Sequence, residues 1–174
     1  MTGPNGSGKT SLLRILCGLL SPAEGDVRWR GERISTLGDE YFSSVTYLGH
    51  RNGVKDELNG VENLRISCGL NGISVSQDEA RRLMQQVGLS DRESLPARLL
   101  SEGQRKRIAL ARLAASKTAL WLLDEITTSL DRNAIGLVRS LIQEHLSNGG
   151  IAIVATHQDL ELTTVNIERL ELAT

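Results

Sequence analysis

Short apolar runs alternate along this chain with segments in which apolar residues recur at helical spacing. Two runs, ALWLL at 119–123 and IAIVA at 151–155, are continuous and apolar, which is typical of strands buried on both faces. SVTYLG at 44–49 and DVRWRG at 26–31 also indicate strands, and a weak alternation at 166–172 predicts a closing strand. Because the buried strands are separated by helices, we predict an α/β fold with a mainly parallel sheet flanked by helices.

Helical patterns occupy the stretches between the predicted strands. Residues 9–20 read as one helix, whose apolar face is formed by Leu12, Leu13, Leu16 and Leu19. The pattern is helical again from about 58 to 89. Ser101 and Gln104 form a capping box ahead of the next helix, and Asp131 caps a helix that continues to about 147.

Composition and charge narrow the classes of function. The 174 residues suit one domain, and the formal charge of −1 shows no basic excess of the kind that nucleic-acid binding requires. Aromatic residues are scarce, at 3%, which argues against a surface that stacks on bases. No apolar run approaches the roughly 18 residues of a membrane span, so we expect any membrane role to come through a partner.

The strongest motif is GPNGSGKT, which matches the phosphate-binding pattern G-x-x-x-x-G-K-[ST] in full. Glycines let backbone N–H groups turn toward a phosphate, and the following helix adds the positive end of its dipole. The lysine is placed to reach the β- and γ-phosphates, and the threonine hydroxyl to ligate Mg²⁺. The predicted ATP-binding set here is Gly3, Pro4, Asn5, Gly6, Ser7, Gly8, Lys9, Thr10 and Ser11.

An acidic pair, Asp124 and Glu125, follows the buried strand at 119–123. Ligands of α/β sheets bind at the carboxyl ends of the strands. Asp124 is therefore placed to hold Mg²⁺, directly or through water, and Glu125 to orient or deprotonate an attacking water. An ordinary solvated acidic turn is the alternative, and the phosphate loop makes it the weaker one.

LSEGQRKRIALAR, at 100–112, resembles the LSGGQ signature helix of ATP-binding-cassette ATPases. The order of motifs is similar as well: phosphate loop, signature, LLDE, SLD and ATHQ. The resemblance implies a P-loop ATPase with a helical subdomain at about 55–105, which binds ATP and Mg²⁺. It also implies a head-to-tail dimer, in which Ser101, Gly103 and Gln104 of one copy contact the γ-phosphate on the other copy. By the same resemblance, Asp131 lies in a loop that crosses the dimer interface, and His157 is a catalytic residue that senses the γ-phosphate.

Three positions depart from the family pattern: His50, Glu102 and Ile126, the last of which replaces a usual proline after the acidic pair. His50 stands where the family usually has a metal-sensing Gln, so it is a weak candidate metal ligand whose protonation would make binding pH-dependent. Glu102 replaces a glycine and adds negative charge near the γ-phosphate. Residues 105–107, which are Arg, Lys and Arg, follow at once; a solvated helix face and a role in the phosphate field are about equally favoured for them.

Four phrases, YLGHRNGVK, QRKRIALARL, ALWLLDE and GGIAIVATHQ, are similar to the ATP-binding subunits of haem-export complexes in cytochrome c maturation. That likeness implies integral membrane partners, a second copy of the chain and no nucleic acid. It implies peripheral attachment to the cytoplasmic face of the inner membrane, or to the matrix side of the mitochondrial inner membrane in a eukaryote. His145 is expected to be a surface histidine without a functional role.

Only Met1 and Thr2 precede the phosphate loop, whereas members of this family carry an N-terminal β-region there. We expect the natural protein to be longer, and a true truncation is the alternative. Two other functions stay open at this stage. One is a soluble cassette ATPase that does not act in transport, and the other is a truncated ATP-binding regulator with little hydrolysis.

Overall fold

A computed structural model describes residues 1–157, 160–162 and 166–172 of the chain. The strands are β1 (Arg28–Trp29), β2 (Glu32–Arg33), β3 (Val45–Leu48), β4 (Leu120–Asp124) and β5 (Ile151–Ala155). The helices are α1 (Lys9–Leu16), α2 (Ile34–Leu37), α3 (Asp39–Ser43), α4 (Gly60–Leu70), α5 (Gln77–Gln86), α6 (Glu102–Ala115) and α7 (Arg132–Ser147), with a 3₁₀ turn at Ala97–Leu99. The last residue of the ATHQ motif, Gln158, lies outside the described residues.

The chain divides into two compact units. The first comprises Met1–His50, Lys117–Ile126 and Ile142–Thr174, and the second comprises Arg51–Ser116 and Thr127–Leu141. Helix α7 begins in the second unit, and its residues from Ile142 onward belong to the first.

A parallel sheet in the order β3–β4–β5 forms the centre of the first unit. Every residue of β4 is buried, as the continuous apolar run at 119–123 predicts for a central strand. Helix α1 packs on β4, and Leu13, Cys17, Tyr41, Leu120, Leu122 and Ala155 form a buried apolar cluster there. The predicted α/β fold and both continuous apolar strands are therefore confirmed.

The predicted closing strand at 166–172 is wrong in the part of the chain described. This segment forms only an isolated parallel bridge between Thr2 and Glu171, with hydrogen bonds from Thr2 N–H to Leu170 O and from Leu172 N–H to Thr2 O, both 2.9 Å long. Pairing stops after Thr2 because Gly3 turns the backbone out of the extended conformation, with φ of 148°.

Helix α1 ends earlier than the predicted 9–20 helix. Gly18 adopts φ of 76°, which ends the helical path after Leu16. Leu19 is 64% exposed, so its assignment to the buried face of the helix is wrong. The strand predicted at 26–31 is present as β1, which pairs with β2 in a short antiparallel hairpin.

Three helices build the second unit. Helices α4, α5 and α6 pack on one another and bury Leu64, Met84 and Leu110. The amino-terminal part of α7 completes this unit. Within the described ranges, no helix combines the length and the apolar character needed to cross a bilayer.

His145 is not the exposed histidine that the sequence predicts. Its ring stacks on that of Trp121, with centroids 3.9 Å apart and planes 3° from parallel. His145 Nε2–H donates to the Ile151 carbonyl at 3.1 Å. Burial lowers the pKa of His145, and the hydrogen bond to Ile151 opposes that shift. Within the first unit, the residue therefore links the carboxyl-terminal part of α7 to β4 and β5.

Candidate functional site

The phosphate loop depends on two glycines for its shape. A Cβ on Gly3 would lie 2.6 Å from Leu172 O and 2.7 Å from Ser7 Oγ, so only glycine fits between these atoms. Gly8 adopts φ of 91° and directly precedes α1, where no side chain caps the helix. The first N–H groups of α1 are thereby left to point toward the loop, which is the arrangement that binds phosphate at a helix amino terminus.

Lys9 is folded into this loop rather than extended into solvent. Its side chain is only 7% exposed, and Nζ donates to Gly3 O at 2.7 Å and to Pro4 O at 2.9 Å. Two of the three ammonium protons therefore bind loop carbonyls, which leaves the third for a ligand. The positive charge lies at the centre of the loop.

The other predicted loop residues surround this charge. Asn5 and Gly6 are exposed at the tip of the loop, and Thr10 and Ser11 occupy the first turn of α1. Ser7 Oγ is buried and has no hydrogen-bond partner among the described residues.

Asp124 ends β4 in a setting that suits a cation. The residue is 1% exposed, and neither carboxylate oxygen has a hydrogen-bond partner within the described part of the chain. A buried carboxylate without partners is costly unless a cation or donor satisfies it, so these atoms fit the demand of Mg²⁺ for oxygen ligands. The nearby Tyr47 responds to the same charge: burial raises the pKa of its phenol, and Asp124 raises it further.

Glu125 follows β4 in an uncommon backbone conformation. Its φ is 52°, a left-handed value that non-glycine residues adopt mainly where surrounding structure enforces it. Here the Glu125 N–H donates to Ala155 O at 2.9 Å, which fixes the turn to the end of β5. The strained turn thus aims the Glu125 side chain at the carboxyl edge of the sheet.

The His157 side chain contacts both Glu125 and the phosphate loop. His157 Nε2 lies 3.4 Å from Glu125 Oε1 and 3.1 Å from Asn5 Oδ1. The structure thus brings together Glu125, His157 and the tip of the phosphate loop, at the edge where β4 and β5 end. The sequence alone indicated each residue separately, but no local pattern predicted the contact between Asn5 and His157.

His50 lies two residues beyond the end of β3 and is exposed. Strand β3 runs parallel to β4, with Leu48 opposite Leu123, so His50 follows the same edge of the sheet as Asp124. In the residues that the structure describes, no group of three or more His, Cys, Asp or Glu side chains is arranged to hold a metal ion. His50 is therefore near the candidate site in topology without completing a ligand cluster.

The signature segment begins α6 in the second unit. Ser101 Oγ accepts the Gln104 N–H at 3.3 Å, and the Gln104 side chain accepts the Ser101 N–H at 2.9 Å, so the predicted capping box is formed. A Cβ on Gly103 would lie 2.9 Å from the backbone oxygen of Ser129. Gly103 is therefore the residue that lets α6 approach the loop before α7.

The basic residues after the signature make structural contacts. Arg107 Nη2 donates to both carboxylate oxygens of Asp131, at 2.9 and 3.1 Å, and Nη1 donates to Val87 O at 2.9 Å. Lys106 is 3% exposed, and Arg105 pairs with Asp56 at 3.2 Å. The interpretation of 105–107 as a solvated face is therefore wrong, because Lys106 is buried and the two arginines bind neighbouring elements of the second unit.

Asp131 directly precedes α7 and caps its amino terminus, as the sequence predicts. Its Oδ1 accepts the Ala134 N–H at 2.7 Å. This bond, and next to it the charge of Arg107, lower the pKa of Asp131. The helix cap and the signature helix are therefore joined through one carboxylate.

Comparison with known proteins identifies relatives of the whole chain. A family model described as "ABC transporter" matches residues 1–128. The chain is 54% identical to the "Cytochrome c biogenesis ATP-binding export protein CcmA" of Nitrosospira multiformis, over 98% of this chain and 82% of the relative. The protein of the same name from Nitrosomonas europaea is 51% identical, over 98% of this chain and 80% of the relative.

Solved structures agree with the fold. One is titled "Dimeric structure of a post-hydrolysis state of the ATP-binding cassette MJ0796 bound to ADP and Pi". It superposes with a TM-score of 0.77 at 24% identity, and the match covers 90% of this chain and 73% of that one. The likeness concerns the fold.

Proposed function

Because the chain belongs to the ABC transporter family, we propose that it is the ATP-hydrolysing subunit of an export system that serves cytochrome c biogenesis. The observation that supports this most strongly is the identity of 54% to a relative with that role in its name, over nearly all of the chain. The candidate site supplies the matching chemistry, which is cleavage of ATP by water to ADP and phosphate. We further propose that the cargo is haem or a haem-loaded component.

Binding of ATP begins at the phosphate loop. Backbone N–H groups between Gly3 and Lys9 surround the β-phosphate, and the third proton of the Lys9 ammonium binds a β- or γ-phosphate oxygen. Asp124 and the Thr10 hydroxyl would hold Mg²⁺, whose charge offsets that of the phosphates. The carboxylate of Asp124, which is buried and has no hydrogen-bond partner among the residues that the structure describes, supports this assignment.

Hydrolysis takes place beside Glu125. Its carboxylate accepts a hydrogen bond from the attacking water, orients it in line with the γ-phosphate and takes its proton as the bond to phosphorus forms. The His157 imidazole contacts the γ-phosphate and the attacking water beside Glu125. The 3.4 Å separation between the His157 and Glu125 side chains supports a joint role.

A second copy completes the site. The exposed amino-terminal end of α6, with Ser101, Gly103 and Gln104, would contact the γ-phosphate bound by the partner copy. Two ATP molecules would then be enclosed in a head-to-tail dimer. Integral membrane subunits bind this dimer at the cytoplasmic face of the membrane in this proposal, and opening of the dimer after hydrolysis drives export.

The experiment is gene replacement in a bacterium that matures c-type cytochromes and lacks its own relative of this chain. We expect the wild-type chain to restore covalent haem staining of c-type cytochromes, and Glu125→Gln to fail at equal expression. Purified wild-type chain that hydrolyses Mg-ATP without restoring any c-type cytochrome would overturn the assignment to cytochrome c biogenesis and leave the ATPase assignment standing.

A further inference from the structure

One side chain of the phosphate loop has a contact that phosphate binding does not need. The carbonyl oxygen of the Asn5 side chain lies 3.1 Å from His157 Nε2. We propose that Asn5 is a positioning residue for hydrolysis, which holds the His157 ring in place by accepting its Nε2 proton. The proposal rests on the ATPase function above and adds a residue to its machinery.

The two neighbours of His157 Nε2 agree on where the ring carries its proton. Asn5 Oδ1 and Glu125 Oε1 are both acceptors, so Nε2 must be the donor. The opposite orientation of the Asn5 amide would point Nδ2 at a ring lone pair, and that lone pair would face the Glu125 oxygen without a proton between them. The neutral ring is therefore the Nε2–H tautomer, with a lone pair on Nδ1.

The distances show which acceptor holds that proton. At 3.1 Å, the contact with Asn5 lies within the usual range for N–H···O bonds, whereas the 3.4 Å contact with Glu125 lies beyond it. Asn5 therefore takes the main hydrogen bond, and the Glu125 oxygen keeps only a long contact with the ring. The Asn5 bond thus holds the ring beside Glu125.

Hydrogen bonds hold the chain in place around Asn5 and Glu125. The loop around Asn5 is braced by the Lys9 bonds to Gly3 O and Pro4 O. The Glu125 N–H is bound to the end of β5, and His157 comes two residues after that strand. The ring itself is 48% exposed, so side-chain packing leaves it freedom that the Asn5 bond removes.

The test compares Asn5→Leu, which removes the acceptor at similar volume, with Asn5→Asp, which keeps it. The readout independent of activity is the ¹⁵N spectrum of the histidine rings in the full chain, assigned with His157→Ala. We expect both wild type and Asn5→Asp to show His157 with a protonated Nε2. In Asn5→Leu the two ring nitrogens should move toward the averaged shifts of a mixed-tautomer ring.

Turnover gives the second readout. We expect Asn5→Leu to lower kcat by roughly three- to tenfold, as for loss of one neutral hydrogen bond, with KM for ATP changed by less than about twofold. In the His157→Ala background the same substitution should have no further effect on kcat. Asn71→Leu is the matched control, since Asn71 is an exposed residue of the second unit whose amide donates to Ser67 O.

Two results would overturn the proposal. One is an unchanged His157 ring spectrum in Asn5→Leu, and the other is an equal loss of kcat with and without His157. Either result would place the role of Asn5 in nucleotide contact or loop structure alone. Failure of the ATPase assignment would show differently, as absence of turnover in the wild-type chain.

Discussion

Replacing Lys9 with Met removes the charge at the centre of the phosphate loop while keeping most of the side-chain volume. A phosphate oxygen about 4 Å from the ammonium, at an effective dielectric constant near 20, gains about 4 kcal/mol. The carbonyl oxygens of Gly3 and Pro4, 2.7 and 2.9 Å from Nζ, already satisfy part of the ammonium charge, and this reduces the gain by about 1–2 kcal/mol. The net loss of about 2–3 kcal/mol corresponds to ATP affinity lowered by about 30- to 150-fold.

The assay is titration calorimetry with ATP and Mg²⁺, at a temperature where circular dichroism shows both proteins folded. Lys117→Met is the matched control, because it deletes one lysine charge from an exposed position outside the loop. Its affinity for ATP should equal that of the wild type. Affinity of Lys9→Met within about twofold of wild type would refute the assignment of this lysine to the phosphates.

Two further predictions concern close contacts of glycines, and a third concerns the lowered pKa of His145. Gly103→Ala places a Cβ 2.9 Å from the Ser129 backbone oxygen, so we expect a loss of about 1–3 kcal/mol in chemical denaturation and weaker ATP-dependent dimerisation in light scattering. Gly150→Ala places a Cβ 2.2–2.5 Å from three ring atoms of His145, which must leave Trp121, so urea denaturation should show a loss of about 2 kcal/mol. Because burial lowers the pKa of His145 below its usual 6.5, the unfolded chain binds more protons; stability should therefore fall as pH drops below about 6.5, and less steeply in His145→Asn.

Local patterns predicted the parts of the fold that continuous apolar runs specify. The continuous runs at 119–123 and 151–155 became β4 and β5 because a strand buried on both faces has no polar side to interrupt it. The phosphate loop was also evident, since its glycines and lysine must occur at fixed spacing. The short helices α2 and α3 were not predicted, because a segment of four or five residues is too short to show the helical spacing of apolar residues.

The remaining differences come from contacts that are distant in sequence. His145 looked like a surface residue, because nothing near it in sequence shows that Trp121 lies against its ring. The bond between Asn5 and His157 joins residues 152 positions apart. The Arg107 contacts with Asp131 and Val87 likewise depend on how helices pack, whereas the charge pattern of α6 alone suggested solvent.

The central claim is that Glu125 is the residue that activates water for ATP hydrolysis. The most direct measurement is a comparison of wild-type chain and Glu125→Gln for ATP affinity, phosphate release and ATP-dependent dimerisation on one preparation. We predict that Glu125→Gln binds ATP as tightly as wild type, releases no phosphate and accumulates as a nucleotide-bound dimer. Phosphate release by Glu125→Gln at the wild-type rate would contradict the account.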